Sequence, residues 1–211
     1  MSMAGPIRAI SSMATKGLLA ELAAAYTGTS GVPVAFEAVG GVDAARRVSA
    51  GEPFDVVVLA SDAIHKLAAA GKVDASRKVD VVRSGVAVAV AAGAAQVDIS
   101  TEEAVRRAVL DAARIAYSTG PSGVALIALF ERWGIAEAIK ERLVLAPPGV
   151  PVGSLLARGE ASLGFQQFSE LIGVEGIALL GPLPPAIQIT TIFSAAPVAN
   201  FTSLPRMART S

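Results

Sequence analysis

Residues 115–134 read IAYSTGPSGVALIALFERWG. A strand is expected over Arg114–Ser118 and an apolar-faced helix over Ser122–Trp133, closed by Gly134, with a loop of small polar residues between them. A loop that opens a helix offers free backbone N–H groups and the positive end of the helix dipole, which together attract an anion. A nucleotide-phosphate loop is excluded, because GxxxxGK followed by Ser or Thr and GxGxxG are both missing here. What remains is a strand, a compact anion-friendly turn and a helix.

The rest of the chain repeats that unit. Strands are expected at Ile7–Ser11, Pro33–Val39 and Asp55–Ala60, with helices at Lys16–Tyr26 (Leu18, Leu19, Leu22 and Tyr26 on one face, Gly28 as its stop), after Gly40-Gly41 to Ala50, and at Ala63–Ala70. The run DVVVLA at 55–60 has no polar alternation, as expected of a strand buried on both faces of a parallel sheet. The pattern restarts with a strand at Val86–Ala91 and a helix at Thr101–Ala112, for which Ser100 and Glu103 form a capping box. Further strands are expected at Leu143–Leu145, Ser162–Phe165, Ile177–Leu180 and Ile189–Phe193, with a helix at Val152–Arg158. Such alternation predicts an α/β protein whose mainly parallel sheets are joined by right-handed crossovers. Two series suggest two lobes: residues 1–83 plus 186–211, and residues 84–185.

Composition narrows the function. Hydrophobic residues make up 53% and charged residues 17%, enough to bury a large core. Lys and Arg number 18, as do Asp and Glu, and this balance argues against nucleic acid as a partner. With no cysteine, thiolate sites are excluded; with His65 the single histidine, neither a histidine-rich metal site nor a histidine triad is expected, and no metal or cofactor is implied. No stretch approaches the roughly 20 apolar residues of a membrane span. The N-terminus has no secretory-signal pattern, so the protein is expected to be periplasmic if a leader was removed and cytoplasmic otherwise.

Four strand-to-helix junctions carry small polar residues: Ser11-Ser12, Gly40-Gly41, Ser61-Asp62, and Ser118, Thr119, Ser122 and Gly123. Ligands of open α/β sheets bind beyond the carboxyl ends of the strands, where these loops lie. Two adjacent glutamines, Gln166 and Gln167, end the strand in ASLGFQQFSEL; alternation puts them on opposite faces, so that one can aim into a cleft. Arg46, Arg47 and Arg83 read as surface or hinge charges, His65 as a helix-surface residue, and Asp62 as a helix cap.

Taken together, IRAISSMATKGLLAELAAAYTGTSGVPVAFEAVGG, EPFDVVVLASDAIHKLAAAGKV, VRSGVAVAVAAG, IAYSTGPSGVALIALFERWGI and ARGEASLGFQQFSELIGVEGIALLGPLPPAIQ resemble the type II periplasmic-binding-protein fold over about residues 6–195. Within it the chain is similar to the molybdate-binding-protein-like branch of solute-binding proteins. The resemblance implies two α/β lobes joined by a two-strand hinge and closing on a ligand in the cleft between them. It places ligand contacts at Ser11 or Ser12, Gly40 and Gly41 in the first lobe, and at Ser118, Thr119, Ser122, Gly123 and Gln166 or Gln167 in the second.

Where molybdate binders carry a tyrosine-bearing strand this chain has GFQQF, and GFQQxSEL resembles a sub-branch that includes aconitate isomerase. Two functions are therefore expected in order: clamping of a small oxyanion or organic carboxylate, with a transporter's membrane component as partner, or interconversion of unsaturated tricarboxylates by proton abstraction. The base for the second is not readable. Against the family's pattern the segment after ITTIFSAAP is short, which predicts an incomplete first lobe covered by a second copy of the chain.

Overall fold

A computed structural model describes residues 5–199; residues 1–4 and 200–211, part of the expected first lobe, lie outside the description. Three parallel strands, β1 (Ile7–Ser12), β2 (Val34–Val39) and β3 (Val56–Ala60), carry α1 (Lys16–Ser30), α2 (Gly41–Ser49) and α3 (Ser61–Ala69) between and after them. A second parallel trio, β5 (Ile115–Tyr117), β6 (Leu143–Leu145) and β7 (Leu163–Gln167), follows α4 (Glu102–Asp111). It is interleaved with α5 (Pro121–Arg132), α6 (Ala136–Ile139) and α7 (Val152–Ala157), and ends in the single-turn helix α8 (Phe168–Leu171).

Two long strands join the trios. β4 (Val79–Ala91) pairs through its first half with β9 (Thr190–Pro197) and through its second with β7, all antiparallel. β9 also pairs antiparallel with β3, and β8 (Ile177–Pro182) flanks β4 with a bulge at Val88/Ala89. The order β2-β1-β3-β9-β4-β7-β5-β6 thus has a parallel trio at each end and antiparallel crossing strands in the middle. The chain crosses along β4 and returns along β9, the two-strand connection. Here Gln188 packs against Gly85: its Oε1 accepts from Val86 N–H at 2.9 Å and its Nε2 donates to Leu183 O at 3.2 Å. A Cβ on Gly85 would lie 3.0 Å from that amide, so the glycine makes the close packing possible.

Apolar periodicity decides what packs where. The first trio buries Ile10, Val57 and Leu59 with Val48 of α2 and Ile64 and Leu67 of α3. On one face of the second trio, Leu126, Leu129 and Phe130 of α5 meet Val86, Val88 and Phe165, and the Phe130 and Phe165 rings pack edge-on at 6.1 Å. On the other face, Val152, Leu155 and Leu156 of α7 close over Ala87, Ala89 and Ala116. Gly164 of β7 permits that approach, because a Cβ there would meet Val152 Cγ1 at 2.7 Å. Removing a buried aromatic such as Phe130 costs about 3–5 kcal/mol.

Several sequence expectations change. α1 continues through Gly28 to Ser30 and stops at Gly31, which takes the left-handed conformation (φ 69°) of a helix C-cap. The cap of α4 is Thr101, whose side chain accepts from Ala104 N–H, while Ser100 donates its own N–H to Asp98. Asp62 lies in the first turn of α3 with Ala60 as the N-cap, so it is not the cap. β4 begins seven residues before the expected Val86, since its polar residues Asp80, Arg83 and Ser84 are held by the ladder to β9. α1 forms, yet Leu18 and Leu22 stay 36% and 47% exposed and no residue of α1 is buried, so the expected apolar face does not pack.

Candidate functional site

The first half supplies hydroxyls from the end of β1. Ser11 and Ser12 are buried, and neither Oγ has a hydrogen-bond partner. A 3-10 turn, Met13–Thr15, follows, closed by Thr15 Oγ1 donating to Ser12 O at 3.1 Å. Gly40 is the N-cap of α2 and Gly41 its first residue, and a Cβ on Gly41 would sit 3.7 Å from Ser12 Cβ. Ser12 and the start of α2 are therefore one small, uncharged polar corner. An unpartnered buried hydroxyl costs about 1–3 kcal/mol, so a ligand or water that bonds it is favoured there.

The second half supplies a loop built differently. Ser118 and Ser122 place their Oγ atoms 3.3 Å apart, Gly120 caps α5, and Pro121 occupies its first turn. Gly123 donates its N–H to Gly120 O at 3.0 Å, and a Cβ on it would fall 1.8 Å from Ser118 O. Gly123 is thus required for the loop to fold back on itself, and its N–H is committed within the loop. Thr119 is exposed. A groove of about 440 Å³ runs beside this loop, lined by Tyr117, Ser118, Thr119, Gly123, Val124 and Leu145; none of the first-half candidates lines it.

Gln166 and Gln167 end β7 on opposite faces and take different partners. Gln166 Oε1 accepts from Val152 N–H at 2.8 Å, on the α7 side of the sheet. Gln167 Nε2 donates to Thr191 Oγ1 of β9 at 2.7 Å, leaving its Oε1 buried and without a partner. Thr191 can donate as well as accept, so a half-turn of the amide exchanges which atom is free. Either way Gln167 ties the second half to a crossing strand and keeps one polar atom uncommitted. Two residues further, Ser169 Oγ donates to Ala14 O at 2.7 Å and draws the two halves together directly.

Cations contribute little to this corner. Arg46 pairs with Asp43, and Arg47 pairs with Glu37 and Glu52 while its guanidinium lies 5.2 Å above the Phe54 ring. Arg83, His65 and Asp62 are exposed. No group of three or more His, Cys, Asp or Glu side chains suited to a metal occurs among the described residues. The sequence reading passed over Thr191 and Glu170. Burial pushes the Glu170 carboxyl up to about 7, a rise partly offset by a hydrogen bond from the Gln166 side chain. The sequence carried no signal for it, because Gln166 lies in a strand and Glu170 in the helix that follows.

Comparison with known proteins agrees with this architecture. Residues 7–209 match the family described as bacterial extracellular solute-binding protein. An aconitate isomerase from Pseudomonas sp. is 38% identical over 199 residues, covering 90% of this chain and 75% of that protein. The periplasmic molybdate-binding protein of Azotobacter vinelandii superposes with a TM-score of 0.74 at 20% identity, covering 92% of this chain and 86% of that one. The sulfate-binding protein of Mycobacterium tuberculosis H37Rv gives a TM-score of 0.74 at 19% identity, covering 93% of this chain and 77% of that one. At these identities the structural likenesses are likenesses of fold.

Proposed function

The chain belongs to the bacterial extracellular solute-binding proteins, and on that footing we propose that it clamps a small organic carboxylate or oxyanion between its two halves. In this reading residues 1–83 with 186–211 form one jaw and residues 84–185 the other. The observation that carries it is the set of buried, unpartnered polar atoms on both jaws: Ser11 Oγ, Ser12 Oγ and Gln167 Oε1. Hydroxyls and amides, rather than charge, are the donors; closure excludes water and strengthens each fixed dipole. The setting is extracytoplasmic, and a transporter's membrane component is the partner it implies.

A thermal-shift screen of molybdate, tungstate, sulfate, phosphate and a panel of di- and tricarboxylates tests this reading. A ligand bound only by the folded state raises the melting temperature by mass action, by about 2.7 kcal/mol of added stability at a hundredfold excess over Kd. Carboxylates are expected to shift the protein and molybdate is not, because this chain has GFQQF where molybdate binders carry a tyrosine-bearing strand. No shift with any of these anions rejects the clamp.

A second reading, turnover, is favoured by the 38% identical relative named aconitate isomerase. It requires an unsaturated tricarboxylate in the same cleft, a base beside it, and donors for the charge that develops. Following cis-aconitate by NMR for appearance of the trans isomer decides between storage and turnover.

A further inference from the structure

Gln167 and Thr191 join the two halves at their carboxyl ends. Gln167 is the last residue of β7, in the second trio. It follows Phe165 by two residues, so it shares the face on which Phe165 meets α5. Tyr117 pairs with Phe165, and the segment 118–122 that opens α5 therefore starts level with the two glutamines. In β9, Phe193 pairs with Ala60, the last residue of β3, so Thr191 lies two residues past the carboxyl end of the first trio. The 2.7 Å bond between the Gln167 and Thr191 side chains spans the carboxyl ends of both trios, where ligands of open α/β sheets bind. Ser169, two residues after Gln167, bonds Ala14, two residues after Ser12, and so draws the end of β1 toward the same place.

Most polar side chains at these strand ends can donate. Ser11 and Ser12 carry hydroxyls without partners, and Ser118 and Ser122 hold two more 3.3 Å apart. Gln167 differs. It is 3% exposed, its Nε2 is given to Thr191, and its Oε1 is a buried acceptor with nothing to accept. A bare oxyanion offers acceptors only and would meet that atom oxygen to oxygen. A carboxylate that also carries a hydroxyl supplies acceptors for the serines and a donor for the amide oxygen. Thr191 holds this choice, because its hydroxyl accepts from Nε2 and so leaves Oε1, not the amide N–H, unspent.

We propose that Thr191 sets the ligand class of the clamp by fixing the Gln167 amide, and that this class is a small hydroxycarboxylate rather than a bare oxyanion. This rests on the clamp reading above. The ligand's carboxylate accepts from the serine hydroxyls of β1, and its hydroxyl donates to Gln167 Oε1. Thr191 touches Gln167 and not the ligand, so it is a positioning residue. An acid without the hydroxyl leaves the amide oxygen buried and unpaired when the halves close, and discrimination arises from that loss. Without the Thr191 hydroxyl the amide is free to turn, and either of its ends can meet the ligand.

The test titrates the parent protein calorimetrically with pairs of acids that differ by one hydroxyl: malate against succinate, and citrate against tricarballylate. In the pair that fits the cleft, the hydroxyl-bearing acid is expected to bind about tenfold tighter or more. Thr191→Val keeps the shape but cannot hold the amide, and the ratio is expected to fall below about threefold. Thr191→Ser is expected to keep the parent ratio, a rescue that a purely structural role does not predict. Equal binding within the pairs, or tighter binding of succinate or tricarballylate, overturns the ligand class and leaves the clamp intact. Binding of molybdate, tungstate, sulfate or phosphate in preference to these acids does the same. A parent-like ratio in Thr191→Val overturns the role of Thr191. Binding of none of these acids or anions overturns the clamp and this inference with it. If Thr191→Val does not fold, Thr191→Ala takes its place with the same expected ratio.

Discussion

Each half of the molecule opens a helix from the end of a central strand through a serine-bearing segment, SSMATKG after β1 and STGPSGV after β5, yet the two junctions are built on opposite plans. The β5 junction is satisfied internally: Ser118 faces Ser122, Gly123 N–H is spent on Gly120, and α5 buries Leu126, Leu129 and Phe130. The β1 junction leaves Ser11 and Ser12 unpartnered, and α1 buries nothing. The second half is thus a finished frame against which the first presents free hydroxyls. A clamp needs this division, because a rigid jaw sets geometry and donors held in reserve supply affinity.

The glycines of the two junctions test the difference most severely. Gly123→Ala pushes a Cβ into the Ser118 carbonyl, so the loop must rebuild; a loss of more than 3 kcal/mol is expected by denaturant unfolding, in the range of severe overpacking. Gly41→Ala meets only ordinary contacts and opens a helix, so its stability is expected to be unchanged or higher by about 0.5 kcal/mol. Its added methyl lies beside Ser12, and ligand-induced thermal shift is expected to fall. Equal destabilisation by both substitutions would remove the distinction between frame and donor.

The helices sharpen the same contrast. Phe130→Ala in α5 is expected to cost about 3–5 kcal/mol. Leu22→Ala in α1, at 47% exposure, is expected to stay within about 0.5 kcal/mol. Chemical unfolding of both variants reads this directly. A large loss at Leu22 would show that the open face of α1 is covered in solution.

Glu170 adds a pH arm. Its carboxyl ionises near 4.5 in the unfolded chain and near 7 in the fold, so the fold favours the neutral form. Below pH 4 both states are protonated and Glu170→Gln is expected to match the parent. Between these values the unfolded state ionises first, and parent stability falls relative to the variant. Above 7 the gap is constant, at most ~3 kcal/mol. Unfolding free energies of the pair at about pH 4 and 8 measure it, and a gap that closes at high pH contradicts the burial of this group.

What could be read from the chain alone follows from the range of the forces involved. The two parallel trios were legible because DVVVLA, IAY and LGF alternate with helix starts at local spacing. β4 was half hidden, since Asp80, Arg83 and Ser84 look like a loop until β9 arrives from more than a hundred residues away. Ser11, Ser12 and the glutamine pair stood out as polar residues in buried strands. The division of labour between Gln166 and Gln167 did not, because it depends on Val152 and Thr191 coming to either side of β7. Glu170 was not singled out, since only its partial burial in the fold sets it apart.

The smallest expected effect on stability is the most specific to the clamp. Ser12→Ala removes a buried hydroxyl that has no partner, so the empty fold loses no hydrogen bond and sheds a desolvation penalty. Its stability is expected to stay level or rise by up to about 1 kcal/mol. Ligand affinity is expected to move the other way, by about tenfold or more, because a charge-assisted bond to an anion is worth roughly 1.5–3 kcal/mol. Calorimetric titration with the carboxylate that shifts the parent most, paired with unfolding of the empty protein, measures both. Opposite signs identify a donor kept in reserve for a ligand. A loss in both would make Ser12 a structural hydroxyl and move the clamp's donors elsewhere.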